Sequence, residues 1–177
     1  MLVGMFSGTV KKLFFAREFL MFDGSIRVLG QKRVLFSNDT LLDLENLDPE
    51  KVYKIFKQHT KQEFIKLKDR INMQGGDAKN LMEELFEIYG LGTMQIVNMD
   101  NNKCIVYIQN SSLGFTYRER NKKSKKPVCH VIAGILAGMF SYYLNKDMDC
   151  QEQECLAQGY DFCTFTVKKN SIKKGAR

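Results

Sequence analysis

The first quarter of the chain alternates between short apolar runs and turn residues. β-favouring segments between Val10 and Leu42 are separated by Asp23-Gly24 and by Gly30. Asp-Gly suits a tight hairpin turn because both residues tolerate positive φ. The pattern predicts a small antiparallel meander. Its strands are expected at Leu13-Phe14-Phe15, Phe19-Leu20-Met21-Phe22, Ile26-Arg27-Val28-Leu29 and Val34-Leu35-Phe36.

Apolar residues then recur at helical spacing. Asp48-Pro49-Glu50 supplies an N-cap, a proline suited to the first turn and an acidic residue that complements the helix dipole. The spacing predicts a helix from this point to Ile71, and it leaves open a break near His59-Thr60. Asp77 is expected to cap a second helix that ends before Gly90.

The second half of the chain returns to strand patterns and then to a strongly apolar helix. Met94 to Met99 and Cys104 to Gln109 flank Asp100-Asn101-Asn102, which predicts a hairpin. A basic loop is expected over residues 119 to 126. After Pro127, the segment Val128 to Leu144 predicts a helix. Its small residues Ala133, Gly134, Ala137 and Gly138 are spaced for close approach to another element, and two short strands, Cys150 to Leu156 and Phe162 to Lys168, are joined through Gly159.

Composition indicates a folded, basic protein. The apolar fraction is 44%, and 27 Lys and Arg against 20 Asp and Glu give a net charge of +7, which attracts nucleic acid, anionic lipid or acidic partners. The excess lies in lysines of the 122–126 segment and in the C-terminal tail, and no aromatic-interleaved basic motif accompanies it, so we expect no specific nucleic-acid binding. The longest apolar stretch, Val131 to Phe140, is half of what a membrane span needs. The N-terminus does not resemble a secretory signal, and we expect a cytoplasmic protein.

Four residues near the C-terminus carry the chemistry. Cys129, Glu152, Cys155 and Cys163 form C-x22-E-x2-C-x7-C, three thiolates and one carboxylate that could close around a tetrahedral zinc ion. In a reducing compartment, cysteines at such spacing are better explained by metal than by disulfides. Four ligands predict a closed, structural site.

The zinc hypothesis makes a demand on the backbone. Residues 152 and 155 have opposite parity, so a regular strand would point them to opposite faces, and a turn or bulge must lie between them. Cys150 is close enough to replace Glu152, which would make the site all thiolate, and this alternative stays open. Cys104 is expected to be a core residue. His130 follows Cys129 directly, but neighbouring helical residues point about 100° apart and seldom bind one ion.

These motifs resemble the 4-vinyl-reductase, or hydrocarbon-binding, domain family. The resemblance rests on Pro127-Val128-Cys129, on the small-residue helix after it, and on E-x2-C-x3-G-x3-C-x-F from Glu152 to Phe165, and it covers about residues 50 to 168. The family shares its fold with TRAPP vesicle-tethering subunits and heme nitric-oxide sensors. The resemblance implies an α+β fold with an antiparallel sheet packed against several helices. It implies the same four zinc ligands.

The resemblance also implies a pocket for a hydrophobic small molecule. Members include sensory domains of phenol-responsive regulators, but this chain has no Trp and we do not assign phenol. The apolar residues could line a pocket or fill the core, and Met packs flexibly in either case. His59 is expected to face solvent. The predicted ligand-binding residues are Tyr89, His130, Met139, Phe140 and Tyr143.

The predicted organisation is a β-meander extension over residues 1–47, a zinc-containing domain over 48–168 and a basic tail over 169–177. The leading functional hypothesis is a small-molecule sensor that signals through a partner or a homodimer. The alternative is a dimerising scaffold related to tethering subunits, with a filled core. A reductase ranks lowest, because the sequence shows no Gly-rich nucleotide loop and no nucleophile paired with a base.

Overall fold

The computed structural model describes residues 19–28, 30–68, 77–121 and 123–170. The described residues up to Ser37 and those from Asn38 onward form two units. The predicted domain limits at residues 47/48 and 168/169 remain a prediction. The predicted strand at Leu13-Phe14-Phe15 and most of the basic tail lie outside the described residues.

The first unit contains an antiparallel meander, as the sequence predicts. Its strands are β1 (Phe19–Phe22), β2 (Ser25–Val28) and β3 (Gln31–Arg33), in the order β1-β2-β3. Asp23 and Gly24 have φ of 49° and 70°, the left-handed values that a tight turn requires. The strand predicted at Val34-Leu35-Phe36 is wrong, because these residues form no strand and are exposed.

The second unit combines five helices with a four-stranded sheet, which confirms the predicted mixed α+β class. The sheet is antiparallel in the order β4-β5-β7-β6. In chain order the elements are α1 (Asn38–Leu47), α2 (Pro49–Lys68), α3 (Asp77–Ile88), β4 (Thr93–Met99), β5 (Lys103–Gln109), α4 (Ser112–Asn121), α5 (His130–Tyr143), β6 (Met148–Glu154), a 3-10 turn (Leu156–Gln158) and β7 (Cys163–Lys169).

Two helices correct the sequence analysis. Helix α1 occupies residues that the meander was expected to reach, and α4 includes the first part of the predicted 119–126 loop. Helix α2 runs through His59-Thr60 without a break. Its predicted N-cap is confirmed, since Asp48 Oδ1 accepts a hydrogen bond from the Lys51 amide at 2.9 Å. Among the described residues, no helix is both long and apolar enough to cross a membrane.

Helix α5 forms the centre of the second unit. It packs against α2 on one side and against β6 on the other, and its residues Val131 to Ser141 are all buried. The close approach to α2 depends on two glycines. A Cβ on Gly134 would lie 2.6 Å from the Tyr53 carbonyl oxygen, and one on Gly138 would lie 2.5 Å from that of Lys57. The predicted role of the small residues is therefore confirmed.

Candidate metal centre

The four predicted ligands meet at the start of α5. The Cys129, Cys155 and Cys163 sulfurs and a Glu152 carboxylate oxygen all lie within 4.8 Å of one another. Cys129 is the N-cap residue of α5, Glu152 lies on β6, Cys155 precedes the 3-10 turn and Cys163 begins β7. Four elements thus contribute one ligand atom each.

The required irregularity lies in β6. The pairing of β6 with β7 shifts register between Glu152 and Glu154, a β-bulge that changes which face the later residues present. Cys155 then leaves the strand and caps the 3-10 turn, where its sulfur accepts the Ala157 amide at 3.4 Å. Gly159 closes this turn with φ of 97°. The bulge and the turn together bring residues of opposite parity to one point.

The sulfurs are spaced for a shared partner rather than for a covalent bond. Cys129 Sγ and Cys163 Sγ each lie 3.7 Å from Cys155 Sγ, and the cysteines are free. A disulfide needs about 2.05 Å. Zn–S bonds of about 2.3 Å at tetrahedral angles place two sulfurs roughly 3.8 Å apart. The observed separations match that value.

Protonation within the cluster is uneven. Hydrogen bonds from the Cys129 and Cys155 thiols lower the pKa of Cys163 to about 5, and the Leu156 amide also donates to this sulfur at 3.3 Å. Hydrogen bonding to Cys155 and Cys163, with burial, holds the pKa of Cys129 well above its usual value. The cluster therefore favours one thiolate that its neighbours stabilise, and a cation would favour the ionised form of the others.

Glu152 has one committed oxygen and one that lacks a partner. Its Oε2 accepts the Cys129 amide at 2.9 Å, at the positive end of α5. Its Oε1 is buried and has no hydrogen-bond partner among the described residues. Burial raises the pKa of Glu152 to about 8. A buried oxygen without a partner beside three sulfurs fits a metal ligand, because the ion would satisfy it.

The remaining predicted residues are spread through the unit. Met139 and Phe140 are fully buried in α5, and Tyr89 and Tyr143 are half-buried. His130 lines two clefts at the start of α5, of about 360 and 480 Å³. Cys150 is buried on β6 and is not part of the four-residue group. Cys104 is a core residue, as predicted, and its burial raises its pKa to about 12.

Sequence reasoning missed one charged residue beside the site. Glu45 on α1 is 4% exposed and accepts a hydrogen bond from the Val131 amide, two residues after Cys129. It thus caps α5 from another helix. Its spacing from Leu42 on a predicted helix would have indicated the same buried face, but the meander interpretation left that helix unrecognised.

Comparison with known proteins supports this assignment of fold and motif. Residues 118–169, which hold all four clustered residues, match the family model of the 4-vinyl-reductase domain, and this match confirms the resemblance over that segment. An uncharacterized protein of Methanocaldococcus jannaschii is 34% identical over 92 residues, which are 51% of this chain and 56% of that protein. The chain thus spans little more than half of that relative.

Two solved structures share the fold. The phenol-responsive sensory domain of the transcription activator PoxR, solved with phenol, superposes with a TM-score of 0.68 at 20% identity and covers 96% of this chain and 94% of its own. A vinyl-4-reductase family protein from Methanocaldococcus jannaschii gives 0.56 at 21% identity, with 80% and 85% covered. These similarities establish the architecture of the chain.

Proposed function

We propose that the chain is a zinc-stabilised cytoplasmic domain that binds a hydrophobic small molecule and signals through a partner or a second copy of itself. The observation that carries the proposal is the group of Cys129, Glu152, Cys155 and Cys163 at the start of α5. Three sulfurs and one carboxylate, closely spaced and buried, suit Zn²⁺ better than hard cations such as Mg²⁺ or Ca²⁺, which prefer oxygen ligands.

The metal would be structural in this proposal. It would join the start of α5 to the β6–β7 hairpin, and its binding free energy would then be folding free energy. The second shell is consistent with this role, because Glu152 already holds the Cys129 amide and two backbone amides donate to sulfurs. Such outer contacts orient ligands for a metal.

The small molecule would bind at the same end of α5. A cleft of about 480 Å³, a suitable size for a small ligand, is lined by Tyr53, Pro127, Ala133 and the ligand residues Cys129 and Glu152, among others. The neighbouring cleft of about 360 Å³ lies on the Glu45 side. A ligand in either cleft would contact groups that hold the helix start. It would act as a switch if it bound two packings of α5 with different affinity.

The metal part is tested by elemental analysis of purified Cys155→Ser. We expect a clear loss of zinc relative to the unsubstituted protein, because a serine hydroxyl is a poor zinc ligand. Cys104→Ser is the matched control, since it makes the same change at a buried cysteine outside the group, and it should keep its zinc. Full zinc occupancy in Cys155→Ser would contradict the proposal.

The ligand part is tested separately. Native mass spectrometry of the purified protein should detect a retained small molecule, or a panel of aromatic and lipid-like compounds should raise the melting temperature, since a ligand that binds the folded state stabilises it. The absence of both effects would refute small-molecule binding while leaving the metal assignment intact.

A dimerising scaffold remains the second candidate, for a specific reason. Met139 and Phe140, which the pocket prediction includes, are 0% exposed and fill the core. Leu20, Met21 and Phe22 of the meander are exposed by 42%, 69% and 80%, and exposed apolar side chains in sequence are typical of interaction surfaces. Sedimentation equilibrium would distinguish the two: a stable dimer that no small molecule affects would favour the scaffold.

A further inference from the structure

The Glu45 carboxyl uses one of its two oxygens. Oε1 accepts the Val131 amide at the start of α5. Oε2 is buried and has no hydrogen-bond partner among the described residues. The whole residue is 4% exposed, so bulk water gives little compensation. A buried polar oxygen without a partner costs about 1–3 kcal/mol and calls for an explanation.

This carboxyl lines the smaller of the two clefts. The cleft has a volume of about 360 Å³, and Leu42, Pro49 and Val128 contribute apolar surface to it. Lys125 is exposed and also lines it. An apolar cavity of this size with a buried polar group is the usual form of a small-molecule site.

No cation of the described residues pairs with Glu45. Burial raises the pKa of this carboxyl to about 8, while its hydrogen bonds to the Val131 and His130 amides act in the opposite direction. Capping α5 explains Oε1, but it gives Oε2 no role. The geometry therefore leaves one acceptor available inside a cleft of ligand size.

We propose that this cleft binds a small amphiphile whose hydrogen-bond donor, a hydroxyl or an ammonium group, pairs with Glu45 Oε2 while its apolar body packs on Leu42, Pro49 and Val128. The inference rests on the proposed small-molecule function and deepens it, because it names the site and the chemistry of the ligand's head group. Through Oε1 the same carboxyl holds the Val131 amide, so the ligand would contact the group that caps α5.

Three probes with one carbon skeleton test the head group. Cyclohexanol offers a neutral donor, cyclohexylamine a charged donor, and cyclohexanone an acceptor without a donor. We expect cyclohexanol or cyclohexylamine to bind the zinc-loaded full chain about tenfold more tightly than cyclohexanone, which corresponds to one hydrogen bond to a charged group. The two donor probes show whether hydroxyl or ammonium is preferred. Amide NMR titration measures the affinities and locates the site.

Glu45→Gln gives the sharper test. The Val131 amide needs an acceptor, so the glutamine should turn its carbonyl oxygen to the helix and its NH₂ group into the cleft. The preference among the probes should then reverse, with cyclohexanone binding more tightly than cyclohexanol. Glu50→Gln is the matched control: it makes the same change at an exposed residue that lines the other cleft, and it should bind the probes as the unsubstituted protein does.

The outcomes separate this inference from the proposed function. Donor probes that shift the amides of Leu42, Asn46 and Val128, with reversal in Glu45→Gln, support it. Binding that shifts Tyr53 and Gln151, or that Glu50→Gln alters and Glu45→Gln does not, would place the ligand in the other cleft; this inference would fail and small-molecule binding would stand. Equal affinity for all three probes, or no binding at millimolar concentration, would also overturn it.

Discussion

Helix α5 is held in place by different means at its start and in its middle. In the middle, Gly134 and Gly138 bring its backbone against α2, where an added Cβ would lie 2.6 or 2.5 Å from a carbonyl oxygen. At its start, Cys129 and the carboxyls of Glu45 and Glu152 meet its first amides. The middle depends on shape, which solution conditions do not change. The start depends on ionisation and metal, so it is the end that a ligand or a change of pH can adjust.

Metal removal should give the largest effect and act on the start alone. Chelation of the zinc-loaded protein is expected to lower the free energy of unfolding by more than about 4 kcal/mol, since loss of a structural metal belongs to the severe class of changes. Urea unfolding with and without chelator measures it. Cys155→Ser should lose most of this chelator response, whereas Cys104→Ser should keep it. A chelator that changes nothing in the unsubstituted protein would remove the distinction between the two regions.

Gly138→Ala should damage the middle and spare the start. Alanine favours helices, but its Cβ would meet the Lys57 carbonyl oxygen at 2.5 Å and the Thr60 Cβ at 2.8 Å. We expect a net loss of about 3 kcal/mol in urea unfolding, because overpacking outweighs helix propensity. Gly90→Ala is the control: it has open space and φ of +70°, so it should lose about 1 kcal/mol from backbone strain. A Gly138→Ala variant that is as stable as the original would mean that α2 yields easily.

Glu45 should give the start a dependence on pH. Burial raises its pKa from 4.5 to about 8, so between these values the folded state holds a proton that the unfolded state has released. Stability from this group is therefore present at low pH and falls as pH rises toward 8, by about 2 kcal/mol at most between pH 6 and pH 8. Melting temperatures of the zinc-loaded protein should fall less over this range in Glu45→Gln. Identical slopes in both proteins would contradict the assignment.

Tyr53→Phe should have the smallest effect. The Tyr53 hydroxyl donates to Asp149 Oδ1 at 3.2 Å and accepts the Cys150 amide at 3.0 Å, which joins α2 to β6 beside the helix pair. Its loss should cost about 1 kcal/mol in urea unfolding. Zinc content should not change, because the hydroxyl contacts none of the four clustered residues. A parallel loss of zinc would show that the middle and the start are coupled.

The sequence predicted the cluster because its determinants are local. Three of the four residues lie within one hairpin, and the parity of 152 and 155 required the irregularity that β6 contains. Gly159 indicated the turn. The predicted zinc identity and the predicted ligand residues remain predictions. The small-residue spacing in α5 was informative for a similar reason, because close backbone approach needs glycine wherever the partner element lies.

The missed elements depended on contacts that are distant in sequence. Helix α4 has two apolar residues on its buried side, Leu113 and Gly114, too few to show a helical period. A signal existed nonetheless, since Ser111 precedes the helix and its Oγ accepts the Gly114 amide at 3.3 Å, as an N-cap does. Val34-Leu35-Phe36 failed for the opposite reason. These residues favour strands, but a strand needs a neighbour, and β3 ends before them.

The spacing of the clustered residues along the chain has a consequence for the order of assembly. Glu152, Cys155 and Cys163 span 12 residues, so closing that short loop costs little chain entropy. Cys129 lies far upstream and arrives with a helix that must first dock on α2. A nascent hairpin can therefore capture the ion with three ligands before the fourth is in place, and the helix would complete the coordination last.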